Sequence, residues 1–223
     1  MNVENIITGC ILGAKGSGKS VFLAYLLSTA KKRTVLFDML GVFNPKSKHK
    51  TAVIPNSYYC LSPDDFIACI DKFPKNAKVV IDFSGLYSDE LVYKIDEVSK
   101  ILLRKGEWAV FSDEVADFMP LHSGSREFHQ LVKNGRNYGI RPVIFATQRP
   151  QSINKNIFDL CECFFISQQK APRTIEYILE IIDKKGDTET ASMIRKLEQR
   201  EFIIYDGDLR LYKVPFYKYA FKQ

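Results

Sequence analysis

Six short runs of nearly unbroken apolar residues punctuate the sequence: Ile6 to Leu12, Thr34 to Phe37, Val79 to Ile81, Trp108 to Phe111, Val143 to Ala146 and Phe164 to Ile166. A strand with one wet face alternates apolar and polar side chains, because successive residues point to opposite sides of a sheet. Strands apolar at consecutive positions need cover on both faces, and the longer segments between these runs have helical spacing. The sequence therefore predicts the α/β class, with a mostly parallel sheet sandwiched by helices. The tail has a different rhythm. Phe202-Ile203-Ile204-Tyr205 and Leu209-Arg210-Leu211-Tyr212 flank Asp206-Gly207-Asp208, which predicts a C-terminal hairpin on an edge of that sheet.

The first run leads into Gly13-Ala14-Lys15-Gly16-Ser17-Gly18-Lys19-Ser20, which satisfies G-x-x-x-x-G-K-[ST] at every specified position. An amphipathic helix is expected from Lys19 to about Lys31. Glycines let consecutive backbone N–H groups converge on phosphate oxygens, and the helix N-terminus adds partial positive charge. Lys19 would bring a point charge to the β- and γ-phosphates of ATP, and Ser20 a hydroxyl to Mg2+. The plain alternative is a glycine-rich strand-to-helix turn that holds no ligand.

Hydrolysis asks more than a phosphate cradle. Trp108-Ala109-Val110-Phe111-Ser112-Asp113-Glu114 is an apolar strand ending in adjacent acids, the Walker B pattern. Asp113 is expected in the magnesium shell, and Glu114 is expected to orient the attacking water. Next comes Arg141-Pro142-Val143-Ile144-Phe145-Ala146-Thr147-Gln148-Arg149-Pro150, a strand ending in a polar cluster. The Gln148 amide can donate to a γ-phosphate and accept from water, which suits it to sense hydrolysis. Taken singly, the acids read equally as a solvated loop start, and the glutamine as a strand cap.

With 223 residues and 46% hydrophobic composition the chain has material for one core, so 1–223 is expected to form one P-loop ATPase domain, its core about 6–166 and its C-terminal helices and hairpin 167–223. A net charge of +6 and a pI near 8.9 favour polyanionic partners. Lys46, Lys48, His49 and Lys50 make the densest basic loop; Lys31-Lys32-Arg33, Lys213, Lys218 and Lys222 add charge elsewhere. Contacts from that loop would hold nucleic-acid phosphates without sequence preference, although each single lysine reads equally as a solvated surface charge. Five cysteines, an odd set with Cys10 inside an apolar run, suit reduced thiols. Cys161-Glu162-Cys163 lacks the further ligands a metal site needs. Without a secretory signal or a long apolar run in the sequence, the chain is expected in the cytoplasm.

Several of these residues resemble the FtsK/HerA superfamily of DNA-translocating ATPases, which are RecA-like P-loop NTPases. The resemblance is carried by Ala146-Thr147-Gln148-Arg149-Pro150-Gln151, by Gly135-Arg136-Asn137-Tyr138-Gly139-Ile140-Arg141, and by the acidic pair. Val80-Ile81-Asp82-Phe83-Ser84-Gly85-Leu86 and Phe37-Asp38-Met39-Leu40-Gly41 are looser matches. It implies a homo-oligomeric ring, of hexameric type, that threads double-stranded DNA, with an arginine from one subunit completing its neighbour's ATP site. Arg136 is the first candidate for that finger and Arg149 the second. Among members, the chain looks most like the genome-packaging ATPases of membrane-containing viruses. That implies a preformed capsid, a capsid vertex or membrane protein as a partner, and the host cytoplasm or virion as the setting. A HerA-type cellular protein, an extrusion ATPase of filamentous-phage type and a P-loop kinase are the rival expectations.

Overall fold

The computed structural model describes residues 6–45, 54 and 56–214. Nine strands form one sheet in the order β3-β4-β2-β5-β6-β1-β7-β8-β9. In chain order they are β1 (Thr8–Leu12), β2 (Thr34–Asp38), β3 (Tyr58–Cys60), β4 (Lys78–Asp82), β5 (Ala109–Ser112), β6 (Val143–Thr147), β7 (Cys163–Ser167), β8 (Glu201–Tyr205) and β9 (Leu209–Lys213). The first seven in spatial order run parallel, and β8 and β9 continue the sheet antiparallel. The α/β sheet and the edge hairpin match the expectation from the sequence.

Among the described residues six α-helices cover the sheet: α1 (Lys19–Thr29), α2 (Pro63–Cys69), α3 (Ser88–Lys105), α4 (Arg126–Asn134), α5 (Pro172–Ile181) and α6 (Thr188–Lys196). Alternate residues of each strand feed two cores. Leu12, Val35, Phe37, Val79, Ile81, Val110 and Phe145 pack with side chains of α2 to α6. Ile11, Leu36, Val80, Phe111, Ile144 and Phe165 pack on the other face with α1, Phe43 and Phe202. Covering both faces is what consecutive apolar residues require, since each buried large apolar side chain contributes about 1.5–3 kcal/mol.

Two expectations need correcting. Helix α1 is not amphipathic: Val21, Phe22, Leu23, Ala24, Leu26 and Leu27 are all buried. The helix lies between the sheet and flanking cover, with Phe22 packed against Phe165, Phe202 and Tyr212, so most of its circumference is apolar. Strand β3 was not foreseen, being three residues long at the sheet's edge, too short for a periodic signal. The basic loop of Lys46, Lys48, His49 and Lys50, with Lys218 and Lys222, lies outside the described residues. No helix among the described residues is long and apolar enough to cross a membrane.

Parallel strands share a direction, so β1, β2, β4, β5, β6 and β7 bring their C-terminal residues to one end of the sheet. Ligand sites of open parallel sheets form at that end.

Candidate active site

The loop between β1 and α1 is held in an open, strained path that only particular residues tolerate. Gly16 and Gly18 have φ of 79° and 104°, left-handed values at which a side chain is costly. Gly13 is required for a different reason. A Cβ there would sit 1.7 Å from Ser167 Oγ and 2.7 Å from Ser17 Oγ. These two hydroxyls are 2.7 Å apart and buried behind the loop, and Ser167 also reaches the Leu12 carbonyl at 3.1 Å. Backbone bonds finish the scaffold: Gly13 N–H donates to the Thr147 carbonyl, Ala14 N–H to Gln168, and Arg200 N–H to the Ser17 carbonyl. Gln199 Nε2 donates to the Gly16 carbonyl at 3.2 Å.

Lys19 is only 8% exposed. Its ammonium donates to the carbonyls of Gly13 at 2.7 Å and Ala14 at 2.9 Å. Burial lowers its pKa to about 8, against the opposing pull of Glu114 and Asp113. A desolvated cation bonded to neutral carbonyls gains much from an anionic acceptor such as phosphate. Ser20 follows it, half-buried on the same helix turn.

Opposite the loop, Asp113 and Glu114 leave β5 almost fully buried. Asp113 Oδ1 accepts from Met39 N–H at 2.9 Å, whereas its Oδ2 is buried without a partner. Burial raises the Asp113 pKa well above the ordinary carboxylate range, with Asp38 adding to the effect. An acid in this setting favours a cation: a divalent metal would answer both the unpartnered oxygen and the desolvated charge. Hard cations such as Mg2+ choose oxygen donors, which is what Asp113 and the Ser20 hydroxyl offer.

Glu114 is fixed by the end of the neighbouring strand. Its Oε1 accepts from Thr147 Oγ1 at 2.7 Å, and Gln148 N–H lies 3.3 and 3.2 Å from its two oxygens. Burial still raises its pKa; the Thr147 and Gln148 bonds hold the rise down. Asp38, at the end of β2, accepts from Val42 N–H at 3.0 Å and Phe43 N–H at 2.9 Å. That pins the turn carrying Leu40 and Val42. Its pKa is raised to about 6, mainly by burial.

These elements enclose a cleft of about 260 Å3 lined by Lys15, Gly16, Gly18, Lys19, Ser20, Val21, Leu40, Val42, Asp113, Gln148 and Gln199. Most of the residues singled out in the sequence thus meet at one cleft, and Glu114 lies directly behind Gln148. The two arginine candidates do not join them. Arg149 is exposed just beyond β6, where its charge opposes the rise that burial gives the pKa of Asp117. Arg136 is exposed in a 3-10 turn, Gly135–Tyr138, beside the start of β5, at the other end of the sheet. Within one chain Arg136 cannot reach this cleft. Gln199 and Ser167 are neighbours of the loop that the sequence did not single out: Gln199 contacts the loop across 183 residues, and no local pattern signals such a contact.

No protein-family model matches this chain, and no curated protein matches it by sequence. Solved structures do match in fold. The genome packaging NTPase B204 from Sulfolobus turreted icosahedral virus 2, in complex with ATP-gammaS, aligns at TM-score 0.66 and 19% identity, over 96% of this chain and 98% of that one. B204 from Sulfolobus turreted icosahedral virus, described as a DNA-packaging ATPase, gives TM-score 0.67 at 20% identity over the same shares. VirB4 of Thermoanaerobacter pseudethanolicus gives 0.66 at 10% identity, over 96% of this chain and 90% of that one. At the level of fold, these structures share the mostly parallel sheet flanked by helices that the sequence led us to expect.

Proposed function

We propose that this chain is a Mg2+-dependent ATPase that drives double-stranded DNA, in the manner of a motor that packages a viral genome. The observation that carries the reading is the buried Glu114 carboxylate, bonded to Thr147 and Gln148 across from the Lys19 ammonium and beside the uncommitted Oδ2 of Asp113. A protein that only binds nucleotide gains nothing from a desolvated acid held this way. The fold shared with B204, a genome packaging NTPase, supports the packaging setting.

The residues divide the chemistry as follows. Loop N–H groups and Lys19 hold the phosphate chain and draw charge away from the leaving group. Ser20 and Asp113 would hold Mg2+, which supplies Lewis-acid stabilisation of the phosphate oxygens. Glu114, held by donors from Thr147 and Gln148, orients a water toward the γ-phosphate and stabilises the positive charge that develops on that water as it attacks. The Gln148 backbone touches Glu114 while its side chain faces the cleft, so one residue joins the water-positioning acid to the phosphate end. In a ring, a neighbour's arginine would add the cation that this cleft lacks among its own lining arginines. Arg136 and Arg149 are the candidates, and only as residues donated in trans.

The test is steady-state ATP hydrolysis by purified protein with and without linear double-stranded DNA. A several-fold stimulation by DNA is expected. Hydrolysis indifferent to DNA would contradict the motor reading and favour an assembly ATPase acting on another partner, and phosphorylation of a small-molecule acceptor would favour a kinase.

A further inference from the structure

The opposite end of the sheet carries a groove that the nucleotide chemistry does not use. It measures about 510 Å3 and is lined by Lys31, Lys32, Arg33, Lys75, Glu107, Gly139 and Arg141. The cations come from three separate places: the α1 to β2 connection, the residue run before β4, and the run before β6. All lie at strand N-terminal ends, roughly 15 Å from the cleft by the rise of a five-residue strand. Glu107 is the single acid among the lining residues.

Some lysines elsewhere on the surface are neutralised locally. Lys94, Lys105, Lys155 and Lys213 each pair with a carboxylate. Lys31, Lys75 and Arg141 are exposed and form no ion pair among the described residues. Arg33 is the fixed floor of the groove, donating to the Phe73 carbonyl at 2.9 Å and lying 5.0 Å over the Trp108 ring. Like charges gathered without local neutralisation repel one another, and a polyanion relieves that repulsion.

We propose that this groove contacts the phosphate backbone of double-stranded nucleic acid. The inference rests on the motor reading and names a surface for its polymer. A lipid surface would want exposed leucines beside the cations. Instead Leu40, Leu61 and Leu121 are exposed beyond strand C-terminal ends, and the exposed large side chains near the groove's end of the sheet are Tyr58 and Tyr138. Concave and cation-rich, the groove suits nucleic acid.

The experiment measures affinity for a labelled DNA duplex by anisotropy over a salt series, comparing the natural chain with Lys31→Ala/Lys75→Ala/Arg141→Ala. Loss of three phosphate contacts should lower the slope of log K against log salt by about 2–3 and weaken binding at least tenfold near 0.1 M salt. Basal hydrolysis without DNA should not change. The charge-conserving variant Lys31→Arg/Lys75→Arg/Arg141→Lys should bind as the natural chain does; loss of binding there would overturn a charge-based contact. Unchanged affinity and slope in the alanine variant would overturn the inference and leave the motor standing. Absence of duplex binding by the natural chain would overturn both. Retained duplex binding with lost binding to phosphatidylserine vesicles would overturn it in favour of a membrane. Absence of ATP hydrolysis by the natural chain would sink the proposed function while leaving the duplex arm readable.

Discussion

The two ends of one parallel sheet hold opposite charges in opposite settings. At the C-terminal end Asp38, Asp113 and Glu114 are buried, each taking hydrogen bonds from backbone or side-chain donors. At the N-terminal end Lys31, Lys75 and Arg141 are exposed on a groove. The difference matters because Coulomb terms grow several-fold as water is excluded, while exposed charges are screened within about 10 Å at ordinary salt. A buried charge can therefore do directed chemistry one residue at a time. Exposed charges act as a sum.

If that contrast is right, single substitutions should cost most at the buried end. Glu114→Gln keeps an oxygen for Thr147 but removes the charge that positions water; kcat should fall on the order of 10²–10³ with ATP affinity retained. Retained turnover would erase the distinction between the ends. Gly13→Ala forces the Ser167 hydroxyl from its place, since the added Cβ would lie 1.7 Å from it. ATP affinity should drop about tenfold, and Gly13→Ala/Ser167→Ala should recover part of it, because the Ser167 hydroxyl is the nearest group the added Cβ would meet, with Ser17 Oγ next at 2.7 Å.

Asp113→Asn sharpens the comparison through stability. Burial raises the Asp113 pKa, so the folded chain keeps this proton to higher pH than the unfolded chain does. The stabilisation is present at low pH and is lost as pH rises from the ordinary carboxylate range through the raised pKa. The asparagine does not ionise and escapes that loss. In metal-free buffer at pH 8 its Tm should exceed that of the natural chain by about 2–4 °C, the equivalent of roughly 1 kcal/mol for a chain of this size, and the gap should close toward acid pH. A gap that widens in acid would show that Asp113 is not held against its charge. The smallest effect belongs to the exposed end: Lys31→Ala alone should weaken duplex affinity less than about threefold, in line with one screened contact.

The sequence announces what local spacing encodes. Gly13 to Ser20 and Asp113-Glu114 declare their roles because strand, loop and helix signals stand next to them, and the structure sets them around one cleft. Gln148 was legible by its place at a strand end. Ser167, Gln199 and the clamp on Glu114 were not, because their partners lie 150, 183 and 33 residues away. The groove was hidden for the same reason: Lys31, Lys75 and Arg141 look scattered until β2, β4 and β6 align their starts. Arg136 stands before β6, at the end of the sheet away from its own chain's cleft, a placement that sequence nearness to the sensor strand does not reveal.

The hydrolytic role of the buried end is tested most directly by single-turnover hydrolysis of bound ATP by Glu114→Gln, read beside equilibrium binding of the same nucleotide. ATP bound as tightly as by the natural chain but cleaved at least about a hundredfold more slowly is the predicted result. Equal cleavage rates at equal occupancy would contradict it and place the water-positioning group elsewhere.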